Sequence, residues 1–150
     1  MLSTVIAVLG TLAGALVAGG LQHFAAHTAR QAARAEALRT ERIGAVTDLA
    51  TALADHRRAM WVREDLRLSG APDTEVRAAR AESHATRSAL TAPRTRLSLV
   101  FPDIATEAEE AVIATFTIRD ADTRPALNEH RDYALASAEA FTAAATEALR

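Results

Sequence analysis

No cysteine and no lysine occur anywhere in the 150 residues, and prolines, glycines and aromatics are few. Without cysteine the chain has no disulfide, zinc-thiolate site or thiol nucleophile, which suits a reducing compartment. Aromatic residues make up 4 % of the chain, and alanine supplies much of its 49 % hydrophobic content. A thin core with closely spaced helices follows, because alanine favours helix and disfavours sheet. Strand signals are nearly missing. Phosphate loops, dinucleotide fingerprints and nucleophile elbows do not occur. A net charge of −2 argues against a nucleic-acid binder as a whole, and no direct nucleic-acid contact is expected.

What is present begins with a run free of charged side chains from Leu2 to Leu21. It is about as long as a bilayer core requires, roughly 20 apolar residues, and in lipid it must close its backbone hydrogen bonds as a helix. Leu2, Val5, Ile6, Val8, Leu9, Leu12, Leu16, Val17 and Leu21 carry the hydrophobicity. The expected reading is a single transmembrane anchor. A cleaved signal lacks its positive leader here, although Ala13, Gly14 and Ala15 imitate a cleavage site. A core helix of a soluble bundle is a further alternative. A surface-lying helix fits least, since Leu and Val occur all round the wheel. Arg30, Arg34, Arg39 and Arg42 follow the run, and the positive-inside rule then places the C-terminal domain in the cytoplasm of a single-pass protein of the cell membrane. Lipid headgroups are the sharper partner for these arginines, and a solvated stalk the plainer reading.

Gly10, Gly14 and Ala18 recur every four residues, a small-residue face through which a second copy can approach. His23 and His27 lie one helical turn apart, but no third ligand is near in sequence, so no metal is expected. The expected domains are an anchor and interface over residues 1–27 and a helical stalk and bundle over 28–150.

Beyond the run, charge is uneven. Residues 28–100 hold thirteen Arg and nine acids, a net of +4, whereas residues 101–150 hold four Arg and ten acids, a net of −6. The basic half would attract anionic lipid and the acidic half repel it, with head-to-tail association as a second option. From about Thr28 to Leu68 only Gly44 interrupts helix-forming residues, and Ile43, Val46, Ala50, Leu53, Arg57 and Met60 form the expected packing seam. Ser69 to Pro72 stops this helix, and Asp73 or Thr74 caps the next, which runs to about Leu99 with a kink at Pro93. Its better face carries Val76, Ala79, Leu90 and Leu97. Asp103 is placed to cap a helix from Ile104 to about Ile118, with Glu107, Glu109 and Glu110 near its positive end. A polar turn, Arg119 to Arg124, leads to a last helix that opens on Pro125 and repeats Leu127, Ala134, Phe141 and Ala148. The fold class is therefore all-α: an N-terminal transmembrane helix continuing into an antiparallel bundle of about four helices.

The densest polar patch runs from His56 to Asp65. Folding the next helix back around Gly70 pairs residue numbers that sum to about 140, as short helix connections dictate, so His56 should approach His84. Residues His56, Arg57, Trp61, Glu64, Glu82, His84 and Arg87 form the expected interhelix polar cluster. A His with a carboxylate can act as acid and base, and two His with Glu82 can bind a metal, but the paired Glu-x-x-His motifs of carboxylate metal bundles are missing. Ion pairing between helices is the expected role. No catalytic residue and no cofactor is assigned, and Trp61 is expected as a packing anchor.

The opening Ser3-Thr4-Val5-Ile6-Ala7-Val8-Leu9-Gly10-Thr11-Leu12, the segment Asp55-His56-Arg57-Arg58-Ala59-Met60-Trp61 and the later Ser83-His84-Ala85-Thr86-Arg87-Ser88-Ala89 resemble small actinomycete proteins of the KilB-like family, over nearly the whole chain. The resemblance implies a membrane protein accessory to plasmid spread in mycelia, with a partner in a transfer machinery, and not an enzyme. A membrane-tethered adaptor or self-assembling scaffold unrelated to plasmids is the alternative from another class.

Overall fold

A computed structural model describes the backbone of residues 2–150 and the side chains of residues 22–150. The chain is all-α: α1 Leu2–Leu68, α2 Asp73–Ala89, α3 Thr91–Val100, a 3₁₀ turn Pro102–Ile104, α4 Ala105–Phe116 and α5 Arg124–Ala148. It divides into two units, Met1–Arg39 and Thr40–Arg150.

In the first unit the side chains of residues 22–39 are all exposed, among them His23, His27, Arg30, Arg34 and Arg39. Among the described residues no helix is long and apolar enough to cross a membrane. The segment on which the anchor was expected, Leu2–Leu21 with Gly10, Gly14 and Ala18, lies outside the residues whose side chains are described.

The second unit is an up-down-up-down bundle, and its long-range contacts fix that topology. From α1 outward, Arg42 reaches Val100, Asp48 reaches Arg96 and His56 reaches Thr86. One number rises as the other falls, so α1 runs antiparallel to α2 and α3. By the same logic Arg87 over Phe116 and Arg94 with Glu109 set α4 antiparallel to α2 and α3. Trp61 with Asn128 and Asp65 with Arg124 set α5 antiparallel to α1. Short connections and close alanine packing make this the accessible solution for four amphipathic segments.

Helix ends follow local chemistry. Gly70 closes α1 with a positive φ of 67°, while Ala71 N–H donates to Leu66 O at 3.0 Å and Gly70 N–H to Arg67 O at 3.3 Å, a Schellman closure. Neither Asp73 nor Thr74 caps α2; Pro72 occupies that position with no side-chain bond, and Asp73 is the first helical residue. The kink expected at Pro93 falls earlier, around Leu90, where α2 passes into α3 with helical backbone angles. Proline's ring presses on the carbonyl four residues back, at Ala89, so the distortion appears one turn upstream. Asp103 does not cap α4. The chain first makes the 3₁₀ turn, Ile104 takes the capping position without a side-chain bond, and Asp103 faces Arg42 at 4.0 Å. Thr123 caps α5, its Oγ1 accepting from Ala126 N at 3.3 Å, with Pro125 in the first turn.

The core has two layers. One joins Ala45, Leu49 and Leu53 of α1 to Leu90, Leu97, Phe101, Ile104, Val112 and Phe141. The other joins Met60 to Ala114, Ile118, Ala121, Leu127 and Ala134. Leu127, Ala134 and Phe141 are buried as their seven-residue spacing predicts, but Ala148 is exposed and Ala145 replaces it. An α-helix drifts about 20° per seven residues against its own pitch, and by the third repeat the stripe has moved. The α1 seam is likewise rotated from the expected one: Ala45, Leu49, Leu53, His56, Met60 and Glu64 are buried, whereas Ile43 is exposed.

Candidate functional site

Two polar residues inside the α1 seam set the chemistry of the lower half of the bundle. His56 is 1 % exposed and Glu64 is 0 % exposed. They sit two turns apart on one face, which is why both point inward.

The Nδ1 atom of His56 lies 2.9 Å from Thr86 Oγ1. The single hydroxyl proton of Thr86 goes to the carbonyl oxygen of Glu82 at 3.1 Å or of Ser83 at 3.2 Å. With the hydroxyl donating to either carbonyl, its oxygen accepts from the Nδ1–H of His56. The ring stands edge-on to Phe116, with centroids 5.5 Å apart at 79°. Burial, followed by the positive charge of Arg87, pulls the His56 pKa from 6.5 down to about 4. It is a neutral imidazole at physiological pH, and protonation there would place a cation beside cations.

Glu64 accepts from Arg67 Nε at 2.7 Å and lies 3.4 Å from Arg63 Nε. Arg67 also donates to the carbonyl oxygen of Ala121, so one guanidinium ties the end of α1 to the loop after α4. Asp65 pairs with Arg124 at the start of α5. In that loop Asp120 adopts φ 62°, a left-handed conformation that aspartate tolerates better than most residues.

A small cavity of about 130 Å³ opens beside His56. It is lined by Met60 and Arg63 of α1, Arg80, Ser83, His84 and Arg87 of α2, and Phe116 and Arg119. Above it a wider groove of about 680 Å³ runs between α2, α3 and α4, with Arg87 and Phe116 shared by both. The Arg87 guanidinium lies 4.5 Å over the Phe116 ring, an arrangement that holds a cation by the ring quadrupole rather than by a carboxylate.

The expected polar cluster is therefore divided. His56, His84 and Arg87 meet at the cavity. Glu64 lies in the core with Arg67. Glu82 is exposed and borders a separate surface hollow with Asp55, Arg58 and Val62. Trp61 and Arg57 look toward α5: Trp61 Nε1 donates to Asn128 Oδ1 at 3.3 Å, Arg131 lies 5.8 Å over its ring, and Arg57 is lowered in pKa by burial, then by the charge of Arg131. Consecutive helical residues turn by about 100°, so neighbours in sequence cannot share one site. Arg42, grouped in sequence with the stalk arginines, fastens the bundle: its Nε donates to Val100 O at 3.1 Å and its guanidinium lies 4.6 Å over Phe101.

Thr86, Arg119 and Phe116 were missing from the sequence reading of this cluster, whereas the pairing rule that sets His56 near His84 also sets Met60 near Glu82 or Arg80, and of these Arg80 shares the cavity with Met60. The signal for α2 was present: Arg80, Ser83, His84 and Arg87 follow the three-and-four spacing of one helix face, polar throughout and so easily read as solvated. Arg119 and Phe116 carried no such signal, since they arrive through the parallel placement of α4 beside α1. Among the described residues no group of three His, Asp or Glu is placed to hold a metal.

The family model of the KilB plasmid transfer protein matches residues 43–149, the whole of the bundle apart from its first residues. Protein KilB of Streptomyces lividans is 53 % identical over 145 residues, which cover 97 % of this chain and 96 % of that protein. No solved structure matches. A match over most of the chain, with a relative this similar end to end, places the chain in the KilB plasmid transfer protein family.

Proposed function

We propose that this protein is a non-catalytic accessory in plasmid transfer, held at the inner face of the cell membrane by Leu2–Leu21 and presenting its bundle to a protein partner in the cytoplasm. The observation that carries the plasmid role is the family match over residues 43–149. The tether rests on the sequence: twenty uncharged, mostly apolar residues followed by Arg30, Arg34 and Arg39. The non-catalytic reading is supported by His56, a buried neutral imidazole whose Nδ1 is engaged by Thr86 and which has no carboxylate among the residues lining its cavity. General acid-base work calls for a group that titrates near the working pH. Self-association through Gly10, Gly14 and Ala18 would add a second copy within the membrane.

The test is complementation of a plasmid from which this gene is deleted. The full chain should restore spread through a recipient mycelium and sediment with membranes. A chain lacking residues 2–21 should be recovered from the aqueous fraction and restore spread poorly. Full-length protein in the aqueous fraction without detergent would refute the tether, and unaltered spread after deletion of the gene would refute the role.

A further inference from the structure

The small cavity beside His56 differs from every other polar region of the bundle in its charge balance. The wide groove has Glu109 in its lining and three surface hollows have Asp48, Asp55 or Glu82, while Arg94 pairs with Glu109 at 2.7 Å, Arg96 with Asp48 at 2.6 Å, and Arg124 with Asp65 across helices. At the cavity Arg63, Arg80, Arg87 and Arg119 converge with His84, and no Asp or Glu lines it. Arg63 and Arg119 touch only the carboxylates next to them in sequence, Glu64 at 3.4 Å and Asp120 at 3.7 Å. Arg80 and Arg87 make no ion pair among the described residues. Four guanidinium groups around one recess repel one another, and an arrangement serving stability alone would place a carboxylate among them, as the other hollows do.

We propose that this recess binds a phosphomonoester group, a compact dianion gripped by Arg80 and Arg87 from α2 and by Arg119 from the turn after α4. Guanidinium is the side chain best matched to phosphate oxygens, offering paired donors in a fixed plane. The volume of about 130 Å³ equals roughly four waters at about 30 Å³ each, room for one tetrahedral oxyanion. Ser83, 2 % exposed, and His56, 1 % exposed, make a rigid back wall. The dianion is that of a soluble ester or of a lipid that ends in a phosphomonoester, as phosphatidic acid does, since the recess reads only the doubly charged group. A nucleic-acid backbone fits less well: its phosphates are singly charged diesters, and residues 101–150 carry a net −6 that repels a polyanion.

The experiment is calorimetric titration of the full-length chain, in neutral detergent, with inorganic phosphate and with methyl phosphate. Saturable one-to-one binding is expected, weakened by roughly tenfold or more in an Arg80→Gln, Arg87→Gln double variant, as loss of charged hydrogen bonds implies. It should be unchanged in Arg30→Gln, Arg34→Gln, two exposed stalk positions. Arg119→Gln provides a second variant should the double variant lose its helical circular dichroism. On addition of phosphate the His56 ring resonances should shift, because the dianion sits beside that ring. Stronger retention on phosphatidic acid vesicles than on phosphatidylcholine vesicles assigns the group to lipid; equal retention with tight methyl phosphate binding assigns it to a soluble ester. Either supports the site. No saturable binding, equal loss in the stalk variant, or unweakened binding in both Arg80→Gln, Arg87→Gln and Arg119→Gln overturns it, as does equal affinity for an oligonucleotide without terminal phosphate.

Discussion

Along α1, the stretch from Ala45 to Leu53 and the stretch from His56 to Glu64 bury the same face of one helix but different chemistry. The first meets Leu97, Phe101 and Phe141 in an apolar layer. The second places a histidine and a glutamate where that pattern calls for Leu, and surrounds them with arginines. Burial of polar groups costs free energy unless each is paired, so the lower half is less stable per residue than apolar packing would make it. The upper half is apolar throughout, whereas the lower half sets a polar recess beside its own apolar layer of Met60, Ile118 and Leu127.

Substitutions that separate the halves are ordered by their expected size. Phe141→Ala should cost about 3–5 kcal/mol, the usual range for an aromatic removed from a closed core, read by chemical denaturation. Acidification should draw on the buried imidazole of the lower half. In the unfolded chain His56 titrates at 6.5, and in the folded chain at about 4, so between these values the unfolded state binds the extra proton and stability falls as pH is lowered. The loss should approach about 3 kcal/mol below pH 4, be absent above 6.5, and be missing from His56→Asn; equal acid sensitivity of both proteins would contradict the burial account. Glu64→Gln should cost about 2 kcal/mol, since Arg67 loses its charged partner but keeps Ala121 O. Gly44→Ala, in the upper half, should stabilise by about 0.5–1 kcal/mol: the added methyl would lie 3.6 Å from an Arg96 nitrogen, ordinary contact distance. A thermal melt detects it, and a lowered midpoint would show that Arg96 cannot give way.

The comparison also explains what was legible in the sequence. Helix number, the stop at Ser69 to Pro72 and the final stripe of Leu127, Ala134 and Phe141 follow from local rules, and the bundle obeys them. The α1 seam was harder to read because His56 and Glu64 interrupt the apolar spacing, and the eye joins Ile43 and Val46 instead. Asp103 looked like a cap by residue type, yet the preceding Pro102 fixes a 3₁₀ turn and frees the carboxylate for Arg42. For the site, pairing His56 with His84 was close, since Thr86 is two residues away. The convergence of Arg119 and Phe116 needed the third dimension, because only the register of α4 against α1 brings them there.

The most direct measurement of whether the lower half works while the upper half supports is complementation of plasmid spread by the Arg80→Gln, Arg87→Gln variant, with its melting temperature recorded alongside. Spread should fall sharply while the melt stays near that of the parent chain. Full spread from a variant that no longer binds phosphate would contradict the division of labour between the two halves.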